Sequence, residues 1–422
     1  MSVLPTNGSL IMSDVMTRKR GRVFYGWFAL AGGMLIIFTV GGAFVNSFGV
    51  FLPVVSADLG WSRASLATAL SLGIVAFGLP SPLWGILVSR LGPRFAIILG
   101  NFVAALAIAA LSQVQQVWQV YLLYIIIGLG AGFGGYIAST TIANNWFIRR
   151  RSLVMGIFIA CGGLGGLVFP PLSTALIAAI GWRLSWLVLS GIIIAVGVLL
   201  GGVVLARNRP EDMGQVPDGV TGGQSVAADA AAYLEATGEK RTGGRMSQVL
   251  KERAAWLIAA FTAANAFAQG TMSTHQVAYL QDIGFNPMTA ATTVSLVAAM
   301  MVIGSITFGG LALRYNVRYL AVIGFASELV AITVLLTTRE LGLIYIYAVF
   351  MGIGNGALTA ALPTFVGVYF GRERYAQALG VIFPFQVVSQ AAAAFIAGAI
   401  YDATSSYHWA FIVVAACSAL GM

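Results

Sequence analysis

The sequence predicts an all-α membrane protein of twelve transmembrane helices, arranged as two six-helix, pseudo-symmetric bundles. Three observations predict it. The 422 residues are 59% hydrophobic and only 9% charged, against about a quarter charged in an ordinary soluble domain. Runs of about 20 predominantly apolar residues, the length a helix needs to cross a hydrocarbon core, recur along nearly the whole chain. The two halves also echo each other in short motifs, as membrane folds built from internal repeats do. Barrel strands would instead alternate apolar and polar residues with period two.

The expected spans are residues 24–52, 64–88, 95–111, 120–147, 153–180, 186–205, 256–280, 289–313, 320–336, 343–370, 376–401 and 409–422. The last is shorter than the roughly 20 residues a crossing needs, so the final helix is expected to be cut short. The first apolar run is too long for a signal-peptide core and reads as a retained span. Residues 1–23 form a polar N-terminal segment, 24–205 the first bundle, 206–254 a linker and 255–422 the second bundle. Pro210, Pro217, Gly222, Gly223, Gly243 and Gly244 punctuate the linker, and its 229–238 portion could form a short surface helix.

A net charge of +9 could suggest nucleic acid, but in a membrane chain the location of Lys and Arg decides. With both ends cytoplasmic, 20 of the 23 Lys and Arg fall on inner segments, and only Arg63, Arg183 and Arg339 on outer ones. This bias obeys the positive-inside rule. It places the N-terminus and linker in the cytoplasm of a multi-pass inner (plasma) membrane protein, and a nucleic-acid partner is not expected. Cys161 and Cys417 lie in apolar runs without metal-ligand spacing, so they read as packing residues and no metal or cofactor is expected.

The repeat is the most informative feature. Gly85, Arg90 and Arg94 after the second span recur at the same spacing as Gly309, Arg314 and Arg318 after the eighth. Phe147-Ile148-Arg149-Arg150-Arg151 is echoed by Phe370-Gly371-Arg372-Glu373-Arg374, and each leads into a glycine-bearing helix through Gly156 and Gly380. With these motifs the chain resembles the major facilitator superfamily over essentially its full length, although Ser89 stands where the loop after the second helix usually has Asp. Within it, Tyr25-Gly26-Trp27 and the run from Asn145 to Gly156 are most similar to the monocarboxylate transporters and the oxalate:formate antiporters. Gly21 and Arg22 replace the acidic residue that usually precedes the first of these motifs.

The resemblance implies a small carboxylate as substrate, with a co-transported proton or an exchanged anion. It also implies that Gly85, Arg90, Arg94, Arg149, Arg151, Gly309, Arg314 and Arg318 belong to gating loops. Tyr136 matches an aromatic that faces substrate in the oxalate relatives. Where those relatives place basic residues on the eighth and eleventh helices, this chain has Ser305 and Gln386. Asn355 and Thr359 stand where aromatics are found on the tenth. The implied pocket is therefore neutral and more polar.

Polar side chains in hydrocarbon need partners or a wet cavity. Tyr136, Thr140 and Asn144 share a face of the fourth helix at i, i+4 and i+8. Asn265, Gln269, Gln276 and Tyr279 form a stripe on the seventh, and Gln386 and Gln390 align on the eleventh. These groups either hydrogen-bond between helices or line a solute cavity, and their clustering favours the cavity. The superfamily's cavity is lined by its first, fourth, seventh and tenth helices, which adds Asn46 and Asn355.

Glu328 lies well inside the ninth span and is a candidate proton carrier by default, although that helix is peripheral in the superfamily. His275 is the alternative, set off the Gln stripe by close to a quarter turn. The glycine runs at 128–135 and 162–166 lack the Lys and Ser/Thr of a phosphate cradle and suit close helix packing. Prolines 80, 82, 170, 171, 363 and 384 are expected to bend spans. The arginine run could also hold anionic membrane lipid.

The expectation is thus a monomeric secondary transporter of a small organic solute, working by alternating access. A transporter of a neutral polar solute and a non-transporting membrane sensor are the alternatives. An intramembrane enzyme would want a nucleophile–base pair or a metal cluster, which two isolated histidines and so few acids do not supply.

Overall fold

The computed structural model describes residues 24–219, 246–404 and 406–422. The expected cytoplasmic segment 1–23, and most of the linker including 229–238, lie outside the described residues. Among the described residues every regular element is helical. In chain order the α-helices are α1 (Gly26–Gly41), α2 (Phe48–Leu59), α3 (Arg63–Gly78), α4 (Ser81–Leu91), α5 (Pro93–Ala110), α6 (Val117–Gly134), α7 (Tyr136–Trp146) and α8 (Arg151–Ile192). After the linker come α9 (Met246–Val249), α10 (Arg253–Asp282), α11 (Pro287–Leu311), α12 (Val317–Thr337), α13 (Leu341–Thr404) and α14 (His408–Gly421).

Among the described residues, seven helices are long and apolar enough to cross a membrane, or eight if α3 and α4, which meet at a 48° bend, count as one. Pro80 stands at that bend, as the sequence led one to expect. Two of the seven, at 55 and 61 residues, far exceed one crossing. Each contains a single glycine with positive φ, Gly181 (φ 78°) and Gly371 (φ 63°), where two helices meet. A side chain would be strained there, and both residues fall in gaps between expected spans.

A π-helical stretch, Ile193–Leu205, follows α8, while two other breaks share a location. A π-helical turn at Gly42–Asn46 joins α1 to α2, and Gly135 interrupts α6–α7 at φ −93°, ψ −109°. Both breaks border the cavity described below, where water can satisfy backbone groups that lipid cannot.

Among the described residues, three buried apolar clusters organise the packing. One draws only on the first half, around Phe44, Tyr124, Phe169 and Trp186. Another draws only on the second, around Met272, Tyr347 and Phe411. The third spans both: Trp146, Phe147, Met155 and Phe158 pack in one core with Phe325, Leu362, Phe370, Tyr375 and Leu379. This shared core lies toward the end that carries the arginine motifs, here called the basic end, so the halves are closed together there.

Candidate functional site

The site begins where the two halves separate above that shared core. A cavity of about 600 Å³ opens between α1, the π-helical turn, α3 and α6–α7 on one side and α10 and α13 on the other. Its floor is aromatic: Tyr136 stacks on Phe383 with ring centroids 5.2 Å apart, and Phe77 meets Phe383 edge-on at 5.7 Å. Toward the end opposite the arginine motifs, the wall residues Val45, Ser71, Ser273 and Thr274 are exposed. The cavity is thus closed toward the basic end and open away from it.

Of the residues expected to contact solute, Tyr136, Gln386 and Gln390 line the cavity. The others lie elsewhere in this conformation. Thr140 is buried one turn below the floor, its hydroxyl donating to the Tyr136 carbonyl at 2.7 Å. Asn144 is buried a further turn down, and its amide reaches the Gly371 carbonyl at 3.4 Å across the halves. Asn46 is exposed and caps its own turn through Gly41. Gln269 donates to Asn355 at 3.4 Å, and Thr359 donates to the same Asn355 oxygen at 3.2 Å. These three therefore join α10 to α13 within the second half. Gln276 and Asn265 are buried away from the cavity, each with one polar atom lacking a partner among the described residues.

The cavity face of α10 carries Gly270, Ser273 and Thr274 instead, rotated from the Gln stripe because each residue advances about 100° around a helix. Ser71, Ser273, Thr274, Phe77 and Phe383 are among the lining residues that sequence reasoning missed. Serine and threonine in an apolar run bond back to the preceding turn, as Thr274 does to the Gly270 carbonyl at 2.9 Å. Their presence alone therefore carries little signal.

Neither proton-carrier candidate lines the cavity. Glu328 is fully buried, its carboxylate accepting from Ser418 at 3.2 Å and packed against Gly354. His275 stands 3.3 Å from the Tyr407 hydroxyl.

The gating candidates gather at the basic end. A Cβ on Gly85 would lie 2.4 Å from the Ala376 carbonyl oxygen, and one on Gly380 would lie 2.5 Å from that of Ser81. The Ser81 hydroxyl donates to the Gly380 carbonyl at 3.1 Å in the same contact. The other contact is its counterpart, with Gly156 against Ser305 at 2.3 Å and Gly309 against Ser152 at 2.7 Å. Ser305 therefore sits in a backbone-to-backbone approach and not on the cavity wall. Gln377 donates to Ser89 at 3.2 Å across the halves. The buried Arg151 donates to the Gly367 carbonyl, while Arg318 bonds the Tyr369 hydroxyl. Arg94 bonds the Val203 carbonyl at 2.8 Å; Arg90 and Arg314 are exposed.

The start of the linker is stitched to this end. Asp218 accepts from the backbone N–H of Ile148 and Arg149 at 2.9 and 2.8 Å, a negative charge at the entry to α8 where the helix dipole favours one. Glu211 accepts a two-pronged bond from Arg372 at 2.9 and 3.1 Å. Burial works against ionisation of Glu211, but the bond from Arg372 and the nearby Arg372 and Arg209 charges outweigh it and hold the carboxyl below its ordinary range.

A family model described as Major Facilitator Superfamily matches residues 30–327 and 276–422. The chain belongs to the major facilitator superfamily. This superfamily member is 26% identical over 403 residues to monocarboxylate transporter 13 of Rattus norvegicus, covering 93% of this chain and 86% of the relative. It is 24% identical over 421 residues to monocarboxylate transporter 12-B of Danio rerio, covering 94% and 86%. Its fold is similar to the crystal structure of the superfamily transporter FucP in the outward conformation, with a TM-score of 0.69 at 13% identity over 93% of this chain and 96% of that one. It is a monocarboxylate-transporter-like, multi-pass membrane protein of this superfamily.

Proposed function

We propose that the protein is a secondary transporter that moves a small organic solute of the carboxylic-acid type by alternating access. The observation that carries this reading is the cavity between the halves, open at one end and closed at the other by an aromatic floor and a shared core. A two-bodied protein with such a crevice exposes its centre to one side at a time if the bodies rock.

The proposed topology has twelve crossings in two six-helix bundles, 24–205 and 255–422. It takes the eight apolar spans and divides the two long ones at Gly181 and Gly371. To these it adds α10, whose polar residues lower its hydropathy, and the 14-residue α14. The bias of Lys and Arg supports a cytoplasmic basic end, with the linker and N-terminus on that side of the plasma membrane. The described conformation then faces outward. The proposed carrier works as a monomer among membrane lipids, without enzymatic chemistry, and the names of its relatives support a carboxylic-acid solute.

Counterflow in proteoliposomes tests the reading. Labelled solute should accumulate against an unlabelled internal pool, and alanine at Gln386 together with Gln390 should abolish it. Binding that persists without counterflow would make the protein a sensor and refute the carrier.

A further inference from the structure

Among the described residues that line the cavity, none carries a formal charge. The walls are aliphatic, with Ile36, Ile37, Val40, Ile74, Val75 and Val387 facing one another across the space. Polar atoms come from Tyr136, Gln386, Gln390 and the hydroxyls of Ser71, Ser273 and Thr274. The buried cations lie elsewhere. Arg151 sits at the level of Asn144, eight residues or about 12 Å along the helix below Tyr136, and is engaged by the Gly367 carbonyl. Arg374 is nine residues before Phe383, about 13 Å down its own helix, and is paired with Glu252.

An ionised solute entering this space would shed its water shell and meet no counter-charge, which is the costly case of burying an unpaired ion. An uncharged solute gives up far less. Gln386 adds a direction to the site. It stands nearly one turn above Phe383, and its side-chain carbonyl oxygen is buried without a hydrogen-bond donor among the described residues. A buried acceptor without a donor is destabilising until a donor arrives. An O–H or N–H of the solute is the group that would satisfy it, and a carboxylate has none to offer.

We infer that the cavity takes its solute in uncharged form: a small amphipathic molecule whose un-ionised acid or amide end donates to Gln386 while its apolar body lies along the aliphatic walls. This rests on the cavity being the solute site of the proposed carrier. It makes the missing cation a determinant of specificity, and it explains why neither Glu328 nor His275 needs to reach the cavity.

The probes are 3-phenylpropanamide and 3-phenylpropanoate, a matched pair of which only the second is charged at neutral pH. Thermal stabilisation of the full chain in lipid nanodiscs reports binding, since a ligand of the native state alone raises apparent stability. The amide should bind at least about tenfold tighter than the carboxylate. Gln386→Leu should weaken amide binding at least about tenfold, and Gln386→Arg should reverse the preference. Gln386→Leu keeps the test open if the arginine variant does not fold. Equal or tighter binding of the carboxylate, or binding of neither probe, overturns the inference. Counterflow of the same pair in proteoliposomes separates the two readings. Amide binding without amide counterflow sinks the carrier and leaves the ligand class standing. Carboxylate counterflow that does not fall as pH rises, and so carries the ionised form, sinks the ligand class and leaves the carrier standing.

Discussion

Replacing Gly85 with valine should force the basic end open. The Cβ alone would stand 2.4 Å from the Ala376 carbonyl oxygen, a backbone atom that no rotamer change can move. Non-bonded heavy atoms settle near 3.5 Å or beyond, so α4 and the second part of α13 must part by about 1 Å. The same movement stretches the Ser81-to-Gly380 hydrogen bond, 3.1 Å in the closed form, past useful range. Overpacking costs about 1–3 kcal/mol and the lost bond about 0.5–1.5 kcal/mol. Together, roughly 1.5–4.5 kcal/mol would lower the closed-to-open ratio by about 10-fold to 1600-fold, at 1.4 kcal/mol per factor of ten. Spin labels at the exposed Leu91 and Glu373, with Cys161 and Cys417 replaced by serine, would read this as a shift of the distance distribution to longer values. Gly309→Val should act in the same direction through Ser152. Gly310→Val, whose Cβ meets nothing within 4 Å, should leave the distribution in place. An unchanged distribution in both Gly85→Val and Gly309→Val, or an equal shift in Gly310→Val, would refute the reasoning.

Three further outcomes follow from the same geometry. Glu211→Gln should loosen the closed basic end by a factor of about 1.4 to 5, because partly exposed ion pairs contribute about 0.2–1 kcal/mol. The Glu211 carboxyl is held below its ordinary range in the closed form. Its contribution is therefore complete above the ordinary carboxylate value and is lost as pH falls through the lowered one; the same label pair followed against pH checks the sign. Asp218→Ala should lower Tm and speed hydrogen exchange at residues 148–150, since it removes a cap from three backbone N–H groups at a cost of about 0.5–2 kcal/mol. Glu328→Gln should leave counterflow and its pH profile intact, because the carboxyl is sealed against Ser418 and Gly354, away from the cavity wall; a flattened pH profile would restore it as a proton carrier.

Membrane class was legible from the amino acids because hydropathy is a local property that needs no partner to be read. The breaks at Gly181 and Gly371 were legible for a related reason: both sit where apolar runs pause. The echo of Gly85 in Gly309, and of Gly156 in Gly380, pointed to something the structure makes concrete. The four glycines pair across the halves in two equivalent backbone contacts, where repetition of the motif reflects repetition of the contact.

Only tertiary structure decided which polar stripe faces the cavity. Asn265, Gln269 and Gln276 on α10 are as polar as Ser273 and Thr274, and nothing in their spacing says which azimuth is wet. Docking of α13 settles it, since Asn355 turns Gln269 inward and Gln390 backs onto Gly270, leaving the two hydroxyls to the cavity. The neighbour of Glu328 was equally out of reach, because Ser418 lies 90 residues away along the chain. A polar side chain in a helix carries its need for a partner in the sequence, but whether helix or solute meets that need depends on how separate helices pack.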